Sequence, residues 1–112
     1  VMIEQEQFAQ NIRKAGTAVT EAEKKACEME AEEKKQFALL QVEALGEGYK
    51  TVASQTTYAD SSEKMFIARV NRGVAKAEIA AAKANLLAAE VEFKVWQTQM
   101  ATLRQEKRVY GS

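Results

Sequence analysis

Apolar residues recur along the first half of the chain at spacings of four and three, the period of one helix face. The run opens with Phe8, Ile12 and Ala15 and continues through Val19, Ala22, Ala26 and Met29. Gly16 and Thr17 interrupt helix propensity, and Thr20 to Glu23 has the form of a capping box. The register passes through them unbroken, so the pattern predicts one helix with a soft point near Gly16 rather than two helices. Glu33 falls on the stripe and weakens it before Phe37, Leu40 and Ala44 resume it, and Gly46 and Gly48 loosen the chain.

The second half carries the clearer pattern. Every seventh residue from Met65 gives Met65, Arg72, Ile79, Leu86, Phe93, Met100 and Lys107. Every seventh from Ala68 gives Ala68, Ala75, Ala82, Ala89, Trp96, Leu103 and Tyr110. Large residues at one core position and alanine at the other make a heptad seam about five repeats long. Alanine at half of those positions lets another helix approach toward the lower end of the ~8–10 Å interaxial range. A second stripe, from Val70, Val74, Ala77 and Ala81 to Ala84, Ala88, Val91 and Val95, is read as lying beside the first. Two adjoining stripes would make a face too wide for one partner helix, so other copies of the chain are expected to bury the surplus. Met65, Ile79, Leu86, Phe93, Trp96, Met100 and Leu103 are the expected oligomer-interface residues.

Between the arms, Tyr49 to Asp60 contains Thr, Val and Tyr that would suit a strand, but no second strand candidate exists to pair with it. A frayed helical continuation or an ordered loop is expected there. Asp60-Ser61-Ser62-Glu63 is a capping box that should start the last helix. The expected architecture is therefore all-α: a single self-assembling domain built as a long antiparallel helical hairpin or coiled coil. Its first arm runs over about 4–46, an irregular or frayed connector over about 47–60, and its second arm over about 61–109. About 48 helical residues at ~1.5 Å each would extend about 70 Å.

Composition sharpens this picture. The 112 residues include no proline, the residue that breaks helix interiors. Aromatic content is 7%, thin for a compact core, which points to long helices packed along their length. No run of about 18 apolar residues is present to span a membrane. The opening Val1, Met2, Ile3 and Glu4 lack the basic-then-apolar plan of a signal peptide.

Candidate chemistry is sparse. The absence of histidine removes the commonest general base and metal ligand. It also removes the Glu-x-x-His pairs of four-helix di-metal sites. Gly46-Glu47-Gly48 has no Gly-Lys-Ser/Thr after it and is not a phosphate loop. Carboxylates sit in Glu/Lys clusters typical of a solvated helix face. The chain is therefore expected to be no enzyme and to need no cofactor or metal. Cys27, next to Ala26 and Glu28, is expected to be a small packing residue. Phe93, Trp96 and Met100 fit the core seam and need no ligand.

Formal net charge is zero, but the charges are segregated. Glu21 to Glu47 holds eight acids against four lysines, and Glu63 to Arg108 holds nine bases against five acids. Arg69, Arg72, Lys76 and Lys83 follow spacings of three, four and seven and share one side of the second arm. Arg104, Lys107 and Arg108 form a further cluster, while Lys50 with Tyr49 and Tyr58 stands in the connector. Such a side could track phosphates without base specificity, with the tyrosines stacking on bases. The competing reading pairs these bases with the acidic arm when the chain folds back. Arg72 also occupies a core heptad position, so either role is open to it.

Tyr58 to Gly111 resembles the C-terminal half of small phage-encoded helical proteins. Those read Tyr-Ala-Asp, then a long Ala- and Glu-rich helix, then Val/Leu-Trp-x-x-x-x-Ala followed by basic residues. The corresponding residues here are Tyr58, Ala59 and Asp60, then Val95, Trp96 and Ala101. In plan the whole chain is distantly similar to the recombination mediator family of T-even phages. That resemblance implies a ring-forming, sequence-independent single-stranded-DNA-binding accessory of recombination or replication. It also implies a recombinase or single-strand-binding protein as partner, and the cytoplasm of a bacterial host as location. The alternative is a structural coiled-coil scaffold, adaptor or assembly chaperone that binds no nucleic acid.

Overall fold

A computed structural model describes the backbone of residues 2–110 and the side chains of residues 4–109. The described chain is all-α: α1 (Met2–Gly46, 45 residues), α2 (Val52–Asp60, 9 residues) and α3 (Glu63–Tyr110, 48 residues). α1 packs against α3 as the two arms of a helical hairpin. α1 passes through Gly16 without a break, as the continuous register predicts.

α1 stops where glycine permits a reversal. Gly48 adopts φ 99°, a left-handed conformation that side-chain-bearing residues disfavour. Tyr49 N–H then donates to Ala44 O at 3.0 Å and Gly48 N–H to Leu45 O at 3.2 Å. These two bonds are the Schellman pattern, and they satisfy carbonyls that the helix end would leave orphaned.

The connector is more regular than its sequence suggests. Residues 52–60 form α2 in place of a frayed or irregular segment. Thr51 caps it, its side-chain oxygen accepting from Ser54 N–H at 3.1 Å. The start of the last helix also moves. Asp60 ends α2 rather than capping α3, and Lys64 N–H instead reaches Ser62 Oγ at 3.3 Å. Asp60 is left to pair with Arg69.

The chain forms two compact units, one from the described residues of Val1–Val19 and Ala81–Ser112, the other from Thr20–Ala80. In the first, the start of α1 runs antiparallel to the C-terminal part of α3. The Phe8 ring lies 5.9 Å from Phe93 and 5.5 Å from Trp96, and Trp96 Nε1 donates to Glu4 Oε2 at 2.9 Å. In the second, Leu40 of α1, Ala59 of α2 and Met65 of α3 form a buried cluster against which Phe37 packs. α2 thus serves as a third wall where the two long helices meet their connector.

The heptad seam of α3 is reproduced residue by residue. From Met65 to Met100 each seam position is buried or half-buried, and every other residue of that stretch is exposed. Ala68, Ala75 and Ala82 are buried, so close approach along the alanine line is realised. Met65, Ile79, Leu86, Phe93, Trp96 and Met100, expected at an oligomer interface, occupy this intrachain seam, while Leu103 is exposed. The side chain of Tyr110 lies outside the described residues.

The second stripe is not beside the first. At about 100° per residue, its midline lies about 160° around α3 from the seam. Val70, Val74, Val91 and Val95 are accordingly 45%, 52%, 50% and 51% exposed. The face pointing at α1 is one seam wide, and the surplus apolar surface points away from it.

Candidate functional site

Two surfaces are candidates, the basic side of α3 and its outward apolar face. The basic side is partly neutralised from within the chain. Glu33 interrupts the apolar stripe of α1 opposite the place where Arg72 interrupts the seam of α3. Arg72 Nε lies 2.9 Å from Glu33 Oε2, and Arg69 Nε lies 3.7 Å from Glu33 Oε1. Arg69 also reaches Asp60 through Nη2 at 2.5 Å. The Glu33 side chain is only 14% exposed, against 43% and 40% for the two arginines. Glu33 Oε2 is buried and no N–H points at it along a hydrogen-bond direction, so Coulomb attraction holds the Arg72 contact.

The two stripe interruptions therefore answer one another. An acid on the first arm and a base on the second, each costly alone in a seam, meet as an ion pair. For Arg69 and Arg72 the pairing with the acidic arm prevails. Farther along the same unit, Lys25 Nζ lies 3.4 Å from Glu78 Oε2, a second link between acidic and basic arms.

Lys76 and Lys83 differ. Both are exposed on α3, and neither has an ion-pair partner among the described residues. Lys50, Arg104, Lys107 and Arg108 are also exposed. The connector tyrosines pack on each other, ring centroids 5.2 Å apart. Desolvation against the hairpin pushes the Tyr58 phenol above its ordinary pKa, and the nearby Glu43 and Glu47 carboxylates push it the same way. This is an acidic setting for Tyr58, unlike the basic surroundings that stacking on a nucleic-acid base would use. Cys27, expected to pack, is exposed, because one residue past Ala26 rotates it off the seam.

The outward face of α3 is wider than the second stripe alone. Phe66 is 67% exposed, Ile67 51% and Leu87 61%, and all three lie on this side. Phe66 and Leu87 fall outside the four-three spacing of the stripe, whereas Ile67, three residues before Val70, keeps that spacing and lengthens the stripe by one position. With the seam starting at Met65 as position a, Phe66 and Leu87 are at position b and Ile67 at c. Adding b to the c and f positions gives a three-in-seven apolar face, the width of a helix that packs into a bundle. On the outer side of α1, Leu39, Val42 and Leu45 are exposed as well.

Among the described residues no helix is long and apolar enough to cross a membrane. The chain matches no protein-family model, no curated protein and no solved structure.

Proposed function

We propose that the chain is a non-enzymatic helical scaffold that assembles with copies of itself through the outward face of α3. The observation that carries this reading is the run of large apolar side chains, each about half exposed or more, on the side of α3 that α1 leaves open. Burying a half-exposed valine or leucine gains about 1 kcal/mol, and several such residues together reach the scale of stable association. Contiguous apolar surface of this kind marks interaction sites rather than ordinary solvent-facing helix. Light scattering with and without single-stranded DNA tests it. A mass above the single-chain value that is indifferent to DNA supports the reading, and a single-chain mass at micromolar concentration defeats it.

A second reading has its own observation. Lys76 and Lys83, with no ion-pair partner among the described residues, stand on the exposed e positions of α3, and copies in an assembly would multiply them. On this reading the assembly is a phage-type, sequence-independent single-stranded-DNA-binding accessory, as the resemblance implies. Arg69 and Arg72 would contribute little, since binding phosphate would cost them Glu33. Labelled-oligonucleotide affinity should then fall steeply with salt, and Lys76→Ala with Lys83→Ala should flatten the slope. No binding even at low salt removes this reading and leaves the scaffold.

A further inference from the structure

Resting on the scaffold reading, we propose that the outward face of α3 takes a second copy of the same helix, antiparallel, about a twofold axis passing between Lys83 and its neighbour Ala82. The surface belongs to α3 alone, a single helix from Glu63 to Tyr110, so its register follows from the sequence and the helix period.

From Val70 to Val95 the stripe reads the same in both directions, and the symmetry ends at the next pair outward, Ile67 with the partner's Thr98. Two valines and two alanines are followed by two alanines and two valines, with spacings of four, three, four, three, four, three and four. An antiparallel copy whose paired residue numbers sum to 165 lays Val70 on the partner's Val95 and Val74 on the partner's Val91. It also lays Ala77 on the partner's Ala88 and Ala81 on the partner's Ala84. Large meets large at both ends and small meets small at the centre. Few stripes survive reversal this way, because an arbitrary order of side chains would set valine against alanine.

A parallel copy in register would also match like with like along the stripe, so the flanks decide. One border is mostly apolar, with Phe66, Ala80, Leu87 and Ala101 at b, interrupted by Gly73 and Lys94, which face each other in the antiparallel register. The other is polar, with Asn71, Glu78, Asn85 and Glu92 at g. Parallel pairing sets each b border against the partner's g border, which puts Leu87 beside the partner's Glu92 and Phe66 beside the partner's Asn71. Antiparallel pairing sets b on b and g on g. Leu87 then covers the partner's Ala80, and Phe66 the partner's Ala101. Across the polar border Glu78 meets the partner's Asn85, and Asn71 meets the partner's Glu92. The nearest pairs set no two like charges opposite each other, and each carboxylate faces an amide that donates to it. The contact is isologous, so it closes at two copies of this face.

Disulfide trapping in the full chain tests orientation and register together. In a Cys27→Ser background, Val74→Cys chains mixed with Val91→Cys chains should cross-link on oxidation, whereas either variant alone should not. Val74→Glu with Val91→Glu, at positions that are already half exposed, should leave helical circular dichroism intact and halve the mass in light scattering. Cross-linking of Val74→Cys to itself would overturn the antiparallel arrangement while leaving the scaffold reading in place. A single-chain mass for the unaltered protein at micromolar concentration would overturn both.

Discussion

The Glu33 cluster allows a quantitative test of how the two arms recognise each other. Glu33→Leu removes the acid from a site that is 14% exposed and restores an apolar stripe on α1. The two arginines it leaves are about 40% exposed and can swing their guanidinium groups into water. The loss is then the pair attraction with part of it returned by leucine packing, a cost of about 1 kcal/mol. Arg72→Leu should cost more, about 2 kcal/mol, because the nearly covered carboxylate cannot leave and keeps only the 3.7 Å contact to Arg69. The double variant replaces an ion pair by two facing leucines at seam positions. It should be as stable as the starting protein or more stable by about 1 kcal/mol. The coupling energy of this cycle is therefore about 3 kcal/mol or more, well above the ~0.5 kcal/mol at which distant sites add. Urea denaturation followed by circular dichroism measures all four corners. Additive single effects would refute the argument, since they would mean that Glu33 and Arg72 are solvated independently.

Other expectations follow from single features. Gly48→Ala should destabilise by about 1 kcal/mol through backbone strain alone, because a Cβ there meets no atom within 4 Å. Thermal melting of that variant checks it, and an unchanged melting temperature would contradict the left-handed cap. Phe8→Ala should cost about 2 kcal/mol by removing the ring that contacts both Phe93 and Trp96. Trp96→Phe should cost less, about 1 kcal/mol, through loss of the bond to Glu4; the two are ranked by chemical denaturation. The Tyr58 phenol, with its pKa raised in the folded chain, favours folding while neutral. That contribution is complete below the ordinary tyrosine range of about 10 and is lost as pH rises through the folded-state value. Ultraviolet titration with Tyr49 and Tyr110 changed to Phe should show ionisation of Tyr58 above that range, and Glu43→Gln should lower its midpoint.

The sequence alone determined that the chain is helical and where the apolar stripes run along each long helix. Alternating four-three spacings through Gly16 specified one first arm, and the heptads from Met65 to Met100 specified one continuous seam along the second. Both are local properties, because helix period and side-chain size act within a few residues. The tertiary structure decided what depends on residues far apart in the chain. Glu33 and Arg72 each read as a defect in a stripe until folding brings them within 2.9 Å. Val52–Asp60 lacks an apolar period of its own, and it forms a helix because Ala59 packs on Leu40 and Met65 while Thr51 caps its start. The second stripe of α3 was legible as apolar, but only the burial of the opposite face by α1 shows that it points outward. Spacing tells how residues are arranged around one helix; which of two apolar sides is covered depends on where the other helix packs.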